Sequence, residues 1–309
     1  MSSTSPGRHT RLALVVPFLN EEEHLGALLR SLTTQTRAPD QLVLVDDGST
    51  DRSGAIAGRF VADHPFARRL SRPPRQVGRD RLAGAPELVA VQWAVEQLEP
   101  WDVVGKLDAD LVLAPNTLAT LVTAFDADPT LGMAGAYISE IGRDGHATRK
   151  PCGPGHVEGA TKFYRRQCWE DIAPLPAILG WDMFDEVRAR MAGWQTTSVE
   201  IPGGDPLHLR PMGTQDGLLR GYRRWGASAY SCGDHPAHVA LIAARDAARP
   251  PRVLGSVNYV AGWTLAALRR RPRAEPELRA HVRRDQLLRI RRRLGGANRV
   301  QGRARTPEA

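Results

Sequence analysis

The stretch Val103–Leu113, VVGKLDADLVL, sets the tightest limits on what this 309-residue chain can fold into. An apolar run with two β-branched residues, Val103 and Val104, breaks off at Asp108-Ala109-Asp110 before apolar residues resume. Strands buried on both faces of a parallel sheet read as such continuous hydrophobic runs, and ligands bind at the carboxyl ends of those strands. Two carboxylates with one residue between them are costly to bury without a positive partner. Their oxygen donors suit a hard divalent cation, Mg²⁺ or Mn²⁺, which can also bridge to phosphates. Taken alone, an Asp-x-Asp is equally compatible with a solvated strand-to-loop turn, so the surrounding pattern has to decide.

That pattern is α/β. Leu12–Phe18 (LALVVPF) reads as a buried strand, followed by Asn20-Glu21-Glu22-Glu23. Asn20 is placed to cap a helix whose acidic first turn suits its dipole, and Leu25, Leu28, Leu29 and Leu32 follow at helical spacing. Gln41–Val45 is a second strand, closed by Asp46-Asp47-Gly48-Ser49-Thr50-Asp51. Ser49 or Thr50 would cap the helix that runs through Ile56, Phe60 and Val61. Strand–helix repeated in this way is the signature of a parallel sheet. Downstream, the spacing predicts helices near Pro86–Leu98, Pro115–Phe125 and Trp181–Met191. It predicts strands at Gly132–Ile138, Gly159–Tyr164 and Gln195–Val199, and a loop over Gly142–Gly155.

Several function classes fall away. No G-x-G-x-x-G follows the first strand and no G-x-x-x-x-G-K-[ST] occurs, which argues against dinucleotide dehydrogenases and P-loop NTPases. Cys152, Cys168 and Cys232 are odd in number and share no metal-type spacing, as expected of reduced thiols in the cytosol. The net charge of +8 is unevenly placed. Residues 249–309 hold sixteen arginines against four acidic side chains, which leaves the first 248 residues net acidic. A nucleic-acid partner is therefore not expected; an anionic membrane surface for the tail is.

Three motifs stand in order along the chain: VVPFLNEEEHL, VLVDDGSTDRS and KLDADLVL. Together they resemble the family 2 glycosyltransferases of the GT-A fold, over residues 11 to about 200. The resemblance implies an α/β, Rossmann-like nucleotide-diphospho-sugar transferase domain with a mixed central sheet. It implies that Pro17 and Glu21 line the nucleotide pocket and that Asp47 contacts the base, whereas Asp46 reads as a helix cap beside Ser49. Lys106, Asp108 and Ala109 would meet the donor, and Asp108 and Asp110 its metal, Mn²⁺ or Mg²⁺. Gly78-Arg79-Asp80-Arg81 stands where the family has a Gly-rich donor loop, so Arg79 and Arg81 would lie near phosphate. The loop lacks the family's downstream asparagine. His208 follows the last core strand, where some relatives present a third metal ligand; a structural or solvated histidine is the other reading.

In the family an acidic pair precedes a helix that ends in Gly-aromatic. Here Gly180–Arg188 leads to Gly193-Trp194, and counting back puts Asp182 at the position of the catalytic aspartate. Trp181 replaces the usual preceding glutamate. Asp185 and Glu186 share a helical face with Asp182 at i+3 and i+4, so Glu186 is the second candidate base and Asp185 a further one. An acidic helix N-terminus stabilised by the macrodipole would account for one of the three without any chemistry. Tyr222-Arg223-Arg224-Trp225 is similar to the Q-x-x-R-W box of processive synthases but lacks the glutamine, so processivity is not expected.

The expected plan is a disordered leader over residues 1–10 and a GT-A catalytic domain over 11–205. A connecting, acceptor-side segment over 206–250 and a basic helical tail over 251–309 follow. The implied reaction is inverting transfer from a nucleoside-diphosphate sugar to a saccharide or lipid-linked acceptor, in surface polysaccharide or glycolipid assembly. A non-catalytic nucleotide-binding relative is the alternative. A sugar nucleotidyltransferase is the weaker one, since PFLNEEE is not a Gly-rich G-T-R-type loop. Val253–Leu268 is apolar, too short for a comfortable span, and flanked by Arg252 and Arg269-Arg270-Arg271. With Tyr259 and Trp263 it reads either as a monotopic or re-entrant membrane contact or as a packing helix. Arg283–Arg293, with Leu287, Leu288 and Ile290, reads as a basic helix suited to anionic lipid. The last dozen residues read as disordered, and the location as cytoplasmic, peripheral at the inner face of the plasma membrane.

Overall fold

The computed structural model describes residues 9–73, 84–141, 146–153, 155–210, 217–248 and 251–301, with side chains up to Arg291. Arg79 and Arg81 lie outside the described residues. The chain divides into two compact units, one of residues 1–177 with 188–212, the other of 178–187 with 213–309.

In the first unit the elements run β1 (Leu12–Phe18), α1 (Leu25–Thr33), β2 (Gln41–Asp46), α2 (Ser53–Asp63), β3 (Ala67–Ser71), α3 (Pro86–Val95), β4 (Val103–Leu107), β5 (Leu111–Val112) and α4 (Thr117–Ala127). They continue through β6 (Leu131–Ala136), β7 (Ser139–Ile141), β8 (Ala147–Arg149), β9 (Thr161–Arg165), α5 (Arg166–Ile172), α6 (Trp181–Met191), β10 (Gln195–Val199) and β11 (Leu207–His208). Helix α6 belongs to both units, since its residues to Val187 fall in the second.

Seven strands form a mixed sheet in the order β10-β6-β9-β4-β1-β2-β3. Every pairing in it is parallel except those of β9, which runs antiparallel to both β4 and β6. All seven residues of β1 are buried, as a central strand covered on both faces requires. Leu25, Leu28, Leu29 and Leu32 of α1 pack into the same core as Leu12, Leu14 and Val16. The insertion of β9 depends on Gly105: a Cβ there would stand 2.4 Å from the Phe163 ring directly across the ladder. A second, four-stranded sheet has the order β5-β11-β7-β8.

The helix starts differ from the sequence expectation. Asn20 does not cap α1; it sits at φ 55° and its Oδ1 accepts the Thr50 N–H at 2.8 Å, joining two loops. Neither Ser49 nor Thr50 caps α2. Asp51 Oδ1 accepts the Ser53 N–H at 2.9 Å, and Ser49 Oγ accepts the Asn20 N–H at 3.1 Å. Both loops lie at the carboxyl ends of strands, where contact between them outweighs local capping. Within the expected 142–155 loop, Ala147–Arg149 forms β8 instead, paired with β7.

The second unit holds α7 (Leu218–Cys232), α8 (Pro236–Asp246), α9 (Val253–Leu268) and α10 (Pro276–Gln301) with the first part of α6. Helices α7 and α9 cross at glycines. A Cβ at Gly226 would stand 1.8 Å from the Tyr259 carbonyl oxygen, and one at Gly262 would stand 2.0 Å from that of Arg223. Tyr222, Ala229, Val239 and Tyr259 form the small core. Gln286 Oε1 accepts the His235 N–H at 2.9 Å, fastening α10 to the start of α8. The α10 backbone is helical to Gln301, past the start of the expected disorder. No helix among the described residues is long and apolar enough to cross a membrane.

Candidate active site

The carboxyl ends of β1, β2 and β4 are neighbours in the sheet, and the acidic motifs stand there. Strand β4 delivers Lys106 inward, where it is 3% exposed, and the chain then turns through Asp108-Ala109-Asp110. The Lys106 ammonium donates to Asp108 Oδ1 and to the Gly159 carbonyl oxygen at 2.9 Å, and pairs with Glu87 at the start of α3. Burial alone would push this amine down; the Asp108 and Glu87 carboxylates outweigh it and hold the group protonated. The Asp108 N–H donates to the Ala160 carbonyl oxygen at 3.0 Å, so the turn is fixed by the residues leading into β9. Ala109 points into the hydrophobic core.

Strand β11 brings His208 to this turn from far along the chain. It pairs antiparallel with β5, His208 opposite Leu111, and parallel with β7, His208 beside Glu140. His208 is 3% exposed, with Nε2 3.0 Å from Asp110 Oδ1 and 4.0 Å from Asp108 Oδ2. Its Nδ1 has no hydrogen-bond partner and faces Glu140 Oε1 at 3.9 Å. Burial would lower the imidazole, but the hydrogen bond to Asp110 and the neighbouring Glu140, Asp110 and Asp108 carboxylates raise it to about 9. Burial likewise opposes the Asp110 charge, yet His208 and Arg210 hold its carboxyl well below the usual range.

Two residues on, in the bend that follows β11, Arg210 donates to Asp110 Oδ2 through Nε at 3.1 Å and Nη2 at 2.9 Å. Its Nη2 also reaches Glu21 Oε1 and Oε2 at 2.6 and 2.8 Å. Burial pushes the Glu21 carboxyl up, with Arg210 working against it. Pro17 is buried on β1, opposite Val45 of β2. Asp47 is buried beyond β2 and accepts from Arg72 Nη1 at 2.8 Å. Asp46 Oδ1 accepts the Ser49 N–H at 2.8 Å and holds the turn.

Lys106 and Arg210 thus occupy Asp108 Oδ1 and Asp110 Oδ2. The donor atoms left to converge are Asp108 Oδ2, Asp110 Oδ1 and His208 Nε2, and one donor from each of these residues lies within 4.8 Å of the others. Two carboxylate oxygens and an imidazole, with a carboxylate behind the other ring nitrogen, are a suitable donor set for Mn²⁺ or Mg²⁺. Without an ion, the imidazolium supplies the missing positive charge.

The remaining candidates lie on α6. Asp182 is half-buried in its first turn, whereas Asp185 and Glu186 are 0% and 3% exposed. Asp185 Oδ1 accepts the Glu186 N–H at 2.7 Å. Trp181 is buried as well, and Arg223 donates to Asn258 Oδ1 at 3.1 Å across the α7–α9 pair. Sequence reasoning did not single out Arg210, Glu87, Glu140 or Arg72.

Comparison with known proteins places these residues in context. The profile described as "Glycosyl transferase family 2" matches residues 13–174. The polyprenol monophosphomannose synthase of Mycolicibacterium smegmatis is 27% identical over 129 residues, 41% of this chain and 46% of that protein. The beta-monoglucosyldiacylglycerol synthase of a Synechocystis strain is 25% identical over 256 residues, 74% of this chain and 49% of that one. The chain spans less than half the length of both relatives. Among solved structures, a mannosyltransferase from Pyrobaculum calidifontis, in complex with GDP-Man and Mn²⁺, superposes with a TM-score of 0.54 at 20% identity. That superposition covers 85% of this chain and 74% of the other, and the shared fold is the GT-A fold anticipated from the motifs.

Proposed function

The chain belongs to glycosyl transferase family 2, and from that premise we propose that it is a metal-dependent, inverting glycosyltransferase using a nucleoside-diphosphate sugar. The observation that carries this reading is the convergence of Asp108, Asp110 and His208 at the strand ends. The GDP-Man and Mn²⁺ of the Pyrobaculum complex support the same classes of donor and ion. A divalent cation held by these three residues would neutralise charge developing on the departing diphosphate. Lys106 and Arg210 act on the ligands themselves, each fixing one carboxylate oxygen so that the other faces the ion. Asp47, Pro17 and Glu21 would form the nucleotide side of the pocket. Asp182 would accept the proton of the acceptor hydroxyl as it attacks the anomeric carbon opposite the diphosphate; its support is its position relative to Gly193-Trp194.

The acceptor is proposed to be lipid-linked or held at an anionic membrane surface, with the protein peripheral at the cytoplasmic face. Val253, Leu254, Val257, Val260 and Leu268 leave an exposed apolar stripe along α9, between Arg252 and Arg269–Arg271. An apolar face edged with arginines suits shallow insertion among acidic headgroups. The names of the two curated relatives point to lipid-type acceptors as well.

The test is nucleotide release from a panel of nucleoside-diphosphate sugars with Mn²⁺ or Mg²⁺, then with EDTA, using membrane extract as acceptor source. Wild type is run beside Asp110→Ala and Asp182→Asn. Metal-dependent turnover of one donor, lost in both variants, is the expected result. Donor binding without turnover under every condition would replace this reading with a non-catalytic one, and activity surviving Asp182→Asn would move the base to Glu186 or Asp185.

A further inference from the structure

A second cluster of ligating side chains lies in the connection between β8 and β9, and no step of the proposed transfer uses it. Cys152, His156 and Glu158 each bring one donor atom within 4.8 Å of the other two. Glu158 is 1% exposed. Its Oε2 accepts from Lys150 Nζ at 2.6 Å, but its buried Oε1 has no hydrogen-bond partner and faces His156 Nε2 at 3.8 Å. A buried carboxylate oxygen without a donor is unfavourable, and this one is aimed at the space between the imidazole and the thiol.

We propose that Cys152, His156 and Glu158 form a binding site for Zn²⁺ or a cation of similar softness. Sulfur, imidazole and a single carboxylate oxygen are a poor set for Mg²⁺ and a good one for zinc. Nitrogen and oxygen ligands about 2.0–2.2 Å from one tetrahedral ion stand roughly 3.3–3.5 Å apart. The observed separation of His156 and Glu158 therefore needs little closure. The surroundings hold the ligands in place. Cys152 Sγ lies 3.5 Å from both the His156 carbonyl oxygen and Ser198 Oγ, and Ser198 Oγ donates to that carbonyl at 2.9 Å. Lys150 binds Glu158 Oε2 and leaves Oε1 to the metal. On binding, the thiol proton passes to solvent and the thiolate ligates. Three protein ligands leave a fourth position for water. The ion would cross-link the β8–β9 connection on itself, next to the hydrogen bonds that already tie it to Ser198 of β10.

Cobalt reports on this site without reference to transferase activity. Co²⁺ titrated into the full chain should give a saturable near-ultraviolet thiolate-to-cobalt charge-transfer band. Asp108, Asp110 and His208 offer no sulfur and cannot produce it. Zn²⁺ should abolish the band and Mg²⁺ should not. Cys152→Ser should remove it, Cys168→Ser should not, and Glu158→Gln should weaken Co²⁺ binding by about tenfold or more. In the unmodified protein, Zn²⁺ should protect Cys152 from alkylation, mapped by mass spectrometry, so the result does not depend on any variant folding. Absence of the band in wild type, its persistence in Cys152→Ser, or alkylation of Cys152 at an unchanged rate with Zn²⁺ would each overturn the assignment.

Discussion

The Arg210 guanidinium lies 2.6 Å from Glu21 Oε1, joining residues 189 positions apart, and the same nitrogen is 2.9 Å from Asp110 Oδ2. One side chain is thus the counter-ion for two buried carboxylates. Arg210→Ala leaves both without it. Removing one partner of a buried pair costs about 3–5 kcal/mol, and because Arg210 is 27% exposed the expected loss is nearer 2 kcal/mol. Urea denaturation of the metal-free protein measures it, and added Mn²⁺ should recover part.

Lys106 is more deeply placed, with both its carboxylate partners on one ammonium group. Lys106→Met should cost about 3 kcal/mol and weaken metal binding, since Asp108 loses the contact that orients it. Adding Glu87→Gln to that variant removes one of the two stranded charges and should restore part of the stability but none of the metal affinity. Equal recovery of both in the double variant would show that Lys106 does not orient Asp108.

The His208 imidazole, held up at about 9, must lose its proton to ligate. Apparent Mn²⁺ affinity should therefore rise about tenfold per pH unit from pH 7 to 9 and level off above. Calorimetric titration across that range reads the slope, and His208→Asn should flatten it. In the metal-free protein the sign reverses. The raised imidazole contributes stability that is complete below its ordinary value of 6.5 and is lost as pH climbs through about 9, so the melting temperature should fall across that window.

Gly226→Ala tests the crossing of α7 and α9. In an isolated helix the change would stabilise by about 1 kcal/mol. Here the new methyl would stand 1.8 Å from a backbone oxygen, which side-chain rotation cannot relieve, so a net destabilisation of about 2–3 kcal/mol is expected. Limited proteolysis of the 213–309 region should accelerate, while circular dichroism of an α7 peptide carrying the change shows more helix.

The alternation of apolar runs and acidic turns made the sheet and its ligand-bearing end legible, because β1, β2 and β4 are buried strands with nothing to obscure the pattern. The connection between the parts was not. Asn20 and Thr50 meet through loops from different strands, so the local capping rule lost to a contact that sequence does not order. Arg210 stands only two residues from His208, but it follows a bend and its partners lie on distant elements. Glu87 was hidden by its place as an ordinary acidic first-turn residue of α3. A hint lay in lysine usage: in a chain with three lysines among many arginines, Lys106 sits within a strand-like apolar run and had to find carboxylate partners. The Cys152 cluster escaped because cysteine-to-cysteine spacing is uninformative when one thiol joins one imidazole and one carboxylate.

The hold that Gly159 and Ala160 exert on the Asp108 turn has a consequence for recombination. Consider a chimera that exchanges the region between β8 and β9 for that of a relative. A breakpoint placed after Ala160 would exchange the two residues whose carbonyls position Lys106 and Asp108. Crossing over before Gly159 keeps those carbonyls with β9, and the graft then changes the connection while leaving the carboxylate turn seated.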